Sequence, residues 1–94
     1  MPTAMKQRVA ALTPRQREVG RLISLGCTLD EVAAILRLAP GTVDNHKARL
    51  MKTLGTDKSA LLTRLAIKYR LTSMDDKLTA TEKRRSGRKR DGWN

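Results

Sequence analysis

Apolar residues recur along this chain at helical spacing in four separate runs, and each run is bounded by residues suited to a helix end. The first run, Val19, Leu22 and Ile23, follows Thr13 and Pro14, and Gly26 provides its stop. Gln16 stands three residues after Thr13, the spacing of a capping box, in which each side chain accepts from the other residue's backbone N–H. The second run follows Thr28, with Glu31 completing another box, and presents Leu29, Val32, Ala33 and Leu36 with Ile35 beside them. Arg37 to Ala39 form a short turn. Pro40 then opens a third helix over 40–54, which buries Val43, His46, Leu50 and Leu54 with Met51 alongside and stops at Gly55. A fourth helix begins between Asp57 and Ser59 and runs to about Leu71. Its wider stripe, Leu62, Leu65, Ala66 and Tyr69, is expected to face the core; Ala60, Ile67 and Leu71 fall on nearly the opposite side.

No segment alternates with period two between hairpin turns, so the fold class is all-α. Residues 1–11 are a short basic extension whose composition permits a turn or two of helix, residues 12–71 hold nearly all the periodic apolar positions, and residues 72–94 are polar and charged. The expected architecture is one four-helix domain at 12–71 with a flexible, disordered basic C-terminal tail. The second and third helices, a short helix, a tight turn and a longer helix, make a helix-turn-helix.

Charge narrows the partner. The 94 residues carry a formal net charge of +11, divided as +8 over residues 1–71 and +3 over the tail. The tail's cations are concentrated in Lys83, Arg84, Arg85, Arg88, Lys89 and Arg90. Such a field suits a polyanion. The tail, even if disordered, is expected to lie along phosphates and strengthen binding to all sequences alike. No apolar run approaches the ~20 residues of a membrane span, and none resembles a signal peptide. The chain is therefore expected to be cytoplasmic, without a membrane partner. A single cysteine, Cys27, allows no internal disulfide and reads as a small buried hydrophobe. His46 is the only histidine, so no metal site is expected, and no cofactor. Glu18 is expected to pair with a basic neighbour rather than act as a base. No Ser/His/Asp set, phosphate-cradling loop or carboxylate pair points to an enzyme.

The outer face of the third helix shows Thr42, Asp44, Asn45, Lys47, Ala48, Arg49 and Lys52. Lys47, Arg49, Lys52 and Thr42 can bond phosphate or base edges; Asn45 suits adenine, and Ala48 a thymine methyl. These seven are the candidate DNA-binding residues. Ala60, Ile67 and Leu71 would be exposed on a monomer, which predicts a symmetric dimer contact.

The string LTPRQREVGRLISLGCTLDEVAAILRLAPGTVDNHKARLMKTLG, residues 12–55, resembles the LuxR/GerE/FixJ-type helix-turn-helix family, and the resemblance continues through SALLTRLAI at 59–67. LTPRQREV, PGTV, His46 and the LMKTLG ending carry it most strongly. The resemblance implies a four-helix domain that binds duplex DNA as a dimer on adjacent half-sites, with the third helix in the major groove and the fourth at the dimer contact. With so few residues before the first helix, the chain resembles the stand-alone GerE type of transcription regulator. It departs from the family's usual residues at Gly20 (a core Leu), Ala39 (a Ser N-cap), Lys58 (a Ser cap, whose job Asp57 or Thr56 is expected to take) and Asp44 (Lys), the last bearing on which bases are preferred. Two other readings share parts of the pattern. Region four of a sigma factor has a similar helix-turn-helix, which touches promoter DNA and RNA polymerase. A protein-interaction module could join a larger regulator through the fourth helix.

Overall fold

The computed structural model describes residues 2–87, with side chains from Ala4 onward. Six helices form among them: α1 (Pro2–Ala10), α2 (Pro14–Ser24), α3 (Leu29–Leu36), α4 (Pro40–Leu54), α5 (Ser59–Lys68) and α6 (Ala80–Ser86). The four helices expected from periodicity are α2 to α5. α2 packs against both α4 and α5, α3 lies against α4, α1 covers part of α4, and α6 lies along α3. Both expected capping boxes close: Thr13 Oγ1 accepts from Gln16 N at 3.1 Å and Thr28 Oγ1 from Glu31 N at 3.2 Å, with the Gln and Glu side chains accepting in return.

The centre of the core is Val19 and Leu22 from α2, Val32 and Ile35 from α3, Val43, Leu50 and Leu54 from α4, and Leu62 and Ala66 from α5, each at most 2% exposed. Cys27 is buried among them. His46 is only half-buried, at the edge of the α4 stripe. At Gly20 the missing side chain leaves no void. A Cβ built there would lie 3.2 Å from Leu50 Cδ2 and 3.9 Å from Leu71 Cδ1. Two leucines from elsewhere in the chain thus occupy the space a larger residue would fill, so only the backbone cost of a helical glycine remains.

α5 ends at Lys68, earlier than the expected Leu71. Arg70 turns left-handed, at φ 64°, and the Leu71 N–H donates to Ala66 O at 2.8 Å while the Arg70 N–H donates to Ile67 O at 3.3 Å. These are the two bonds of a Schellman motif. The motif turns Leu71 inward against the core, so Leu71 does not continue the outer stripe of Ala60 and Ile67. At the start of α5, neither Asp57 nor Thr56 caps the helix as expected. The Thr56 hydroxyl instead accepts from Lys58 N at 3.1 Å, and the α5 N-cap, Lys58, makes no side-chain cap bond.

The largest difference from expectation lies after Leu71. Residues 72–87 are ordered against the core rather than a loose tail. Thr79 and Glu82 form a third capping box at the start of α6, and Leu78 is 3% exposed. Arg21 of α2 clasps the segment. Its Nε and Nη2 donate to the two carboxylate oxygens of Asp76 at 2.8 and 3.1 Å, Nη2 also reaches Lys77 O, and Nη1 donates to Glu82 Oε2 at 2.7 Å. Thr72 Oγ1 adds a bond to Asp76 at 2.7 Å, and Arg85 Nη1 donates to Ile35 O at 3.0 Å. A capped helix, one buried leucine and a bidentate arginine pair together outweigh the entropy that a polar composition alone suggests would win. Arg88, Lys89 and Arg90 lie outside the described residues.

The Arg21 hydrogen bonds hold the Asp76 carboxyl below the usual carboxylate range. At Glu82 burial acts in the opposite direction, but the bonds from Arg21 and Thr79 together prevail and its pKa is lowered as well. Both folded-state pKa values lie below the unfolded ones, so the stabilisation is complete at neutral pH and is lost as pH falls through the folded values. The protection factors of amides in 76–86, taken relative to unstructured amides at the same pH, should therefore fall below about pH 4, while those of α2 and α4 hold. The fall should be absent in Arg21→Met, where the segment is already loosened. A further expectation attaches to Gly20. Restoring the larger residue, Gly20→Leu, should lower stability by about 1–3 kcal/mol through overpacking against Leu50 and Leu71, measured by urea denaturation.

Candidate nucleic-acid interface

α4 is set by its inner face. Val43, Leu50, Met51 and Leu54 are buried against α2, α3 and α1, which turns the opposite side to solvent. The turn before it is tight: Arg37 takes a left-handed conformation at φ 57°, and the Leu38 N–H donates back to Ala33 O at 3.0 Å. Pro40 fills the first helical position, where a missing N–H costs nothing. Ala39 has N-cap backbone angles, φ −67° and ψ 144°, but no side chain able to accept from the first turn.

Of the seven candidate residues, Thr42, Asp44, Asn45, Ala48, Arg49 and Lys52 are exposed and Lys47 is half-buried. At about 100° per residue they form two flanks rather than one flat face. Thr42, Asn45 and Arg49 lie on one flank. On the other, Asp44, Lys47, Ala48 and Lys52 line a shallow depression of about 400 Å³, closed by Met51, Thr56 and Asp57. Lys47 is half-buried and lies one turn from both Val43 and Leu50, the setting in which a lysine stem covers apolar surface. The depression holds two lysines and two aspartates; the flank with Arg49 is purely cationic and polar. Asp44 therefore shares its depression with two lysines and a second aspartate.

Two features near α4 escaped the reading of the sequence. α1 is a full helix; Arg17 Nη2 holds its end by donating to Val9 O at 2.8 Å, and Arg8 Nη1 lies 3.1 Å from where a Cβ on Gly55 would stand. Arg37, exposed in the turn of the helix-turn-helix, adds a cation that the turn's brevity hid. Glu18 pairs with Arg15 at 2.9 Å on the exposed side of α2, as expected.

The three residues expected at a dimer contact are not brought together. Ala60 is exposed and Ile67 half-buried on α5, and Leu71 is turned to the core. The apolar atoms beside Ile67 come instead from Leu25 and from Met74, which is 81% exposed; with Thr63 they line an open groove of about 380 Å³. Leu61, 46% exposed, lies further round α5.

An all-helical fold with a short helix, a left-handed turn and a 15-residue helix whose outer side is polar and cationic defines a helix-turn-helix DNA-binding domain. Residues 10–66 match the family described as bacterial regulatory proteins, luxR family, and the chain belongs to that family. It is a luxR-family DNA-binding domain of transcription regulators. The chain is 42% identical over 53 residues to the transcriptional regulatory protein UhpA of Escherichia coli, covering 56% of this chain and 27% of that protein. It is 37% identical over 71 residues to the probable transcriptional regulatory protein NarL of Mycobacterium tuberculosis, covering 71% and 33%. It is also 36% identical over 62 residues to the transcriptional regulatory protein MctR of Rhizobium johnstonii, covering 66% and 29%. The chain thus spans about a third or less of the length of these relatives. No solved structure gives a significant match. Among the described residues, no helix is long and apolar enough to cross a membrane.

The empty cap at Ala39 yields a prediction. Ala39→Ser supplies an acceptor for the first-turn N–H groups where the backbone already has cap geometry, and should raise stability by about 1 kcal/mol, read from the shift in denaturation midpoint at constant m-value.

Proposed function

We propose that this chain is a transcription regulator that lays α4 in the major groove of duplex DNA and reads sequence there. The observation that carries the reading is the division of α4: Val43, Leu50, Met51 and Leu54 are consumed by the core, while Thr42, Asn45, Arg49, Ala48 and Lys52 are left outward on a helix slim enough for the groove. Asn45 and Arg49 are assigned to base edges, since their side chains can make bidentate bonds to adenine and guanine respectively. Thr42, Lys47 and Lys52 are assigned to phosphates, Asp44 to an amino group such as that of cytosine, and Ala48 to a thymine methyl.

The regulator acts as a homodimer on DNA, one copy per half-site, and the outer side of α5 supports this. Ala60 and Ile67, joined by Met74 in place of Leu71, give an apolar surface that a second copy can cover. No catalysis, metal or cofactor is assigned to the chain, which works in the cytoplasm with the DNA.

Selection of bound duplexes from a random pool, using the 94-residue chain alone at stated salt, tests all of this. The expected product is a motif of two half-sites, and sedimentation should show two copies on it. Asn45→Ala should relax preference at one position of each half-site by about 1–3 kcal/mol without abolishing binding. Enrichment of no motif would refute sequence reading, and a strict monomer on a single half-site would refute the dimer.

A further inference from the structure

We propose that α6 and the turn between α3 and α4 together form a second, sequence-independent contact to the DNA backbone, with Arg84 and Arg37 as its cations and the phosphates flanking the base-read segment as its ligand. The proposal rests on the reading of α4 as the groove helix and adds a separate surface to it.

The position of α6 supports this first. α6 lies along α3, and its last turn is fastened to the end of α3 by Arg85, which donates to Ile35 O at 3.0 Å. Ile35 is in the last turn of α3, where carbonyls lack helical partners and a cation is favoured. The next residues are Arg37 and Leu38 of the turn, then Ala39 and Pro40 at the start of α4. The basic end of α6 therefore stands beside the connection that delivers α4 to the groove. In a helix-turn-helix the first helix crosses the sugar–phosphate backbone while the start of the second meets the bases. An element fixed to the end of that first helix is held over phosphates, not over bases.

The sorting of charge supports it independently. The segment 76–86 contains acids as well as bases, and the two sets face different ways. Asp76 and Glu82 both turn inward to Arg21, at 2.8 and 2.7 Å. Arg84 is exposed in the last turn of α6, and Arg37 is exposed in the α3–α4 turn. A segment that is mixed in sequence thus presents cations outward, because Arg21 neutralises its acids within the fold. Arg85 serves as the strut that sets the distance.

The full-length chain should be titrated with its selected duplex and with a random-sequence duplex between 50 and 200 mM salt. The double variant Arg37→Gly, Arg84→Ala removes both cations; glycine suits the left-handed backbone at 37, so folding is retained. For each phosphate left without its arginine, the log–log salt slope should become shallower by about 0.9, roughly a 3.5-fold smaller fall in affinity across that fourfold salt range. The change should be equal on both duplexes, with base preferences unaltered. Arg21→Met, which keeps both cations and cuts the clasp, should move the slope in the same direction; if that variant does not fold, the double variant decides alone. A wild-type slope in the double variant would overturn the proposal while leaving α4 as the reader, as would a change confined to the selected duplex. A wild-type chain that binds neither duplex would instead overturn the groove reading itself, and this proposal with it.

Discussion

Everything outside α4 is arranged around keeping one side of that helix dry. Val43 and Leu50 have no exposed surface, and Leu50 sits directly on the bare backbone of Gly20. That contact sets both the approach of α2 to α4 and the rotation of α4 about its own axis. A slip of one residue would swing every side chain through about 100°, exposing Leu50 and burying a polar group, a cost of several kcal/mol from the transfer terms alone. The outward positions of Asn45 and Arg49 are therefore enforced from inside, without any contact of their own.

Electrostatics organises the second half of the molecule. In a chain of net charge +11, the acids are too few to be spread evenly. Two are committed to Arg21, a partly buried cation of α2 whose guanidinium would be costly to leave unpaired. The pairing joins α2 to a segment that buries Leu78 but leaves Met74 exposed. It also turns Asp76 and Glu82 toward α2 while Lys77 and Arg84 stay at the surface, so that local charge cannot be inferred from a running sum along the sequence.

How much of this was legible follows from the kind of signal each part leaves. α2 to α4 carry long apolar periods bounded by caps and stops, and their limits could be read closely; so could the empty cap at Ala39. The end of α5 could not be, because the residue that turns left-handed is Arg70 and not a glycine, and with it went the placement of Leu71. α6 did leave a signal, the Thr79–Glu82 spacing that had marked α2 and α3, but charge-rich composition outweighed it. Its partner, Arg21, was unreadable in principle, since nothing local says that a residue on α2 will meet carboxylates 55 and 61 positions later. The outer face of α4 was legible as a set. Its division into two flanks, and the grouping of Asp44 with lysines, depended on what the neighbouring loop contributes.

The clasp on Arg21 has a consequence for the order in which the chain is made. α2 emerges from the ribosome early and Asp76 and Glu82 late, so for most of synthesis the nascent domain carries Arg21 with its partners not yet built. The contacts among α2, α3, α4 and α5 are mainly apolar, whereas the segment that follows is held to α2 largely through the Arg21 ion pairs. A chain cut before residue 72 would carry Arg21 as an unanswered charge on the flank of α2.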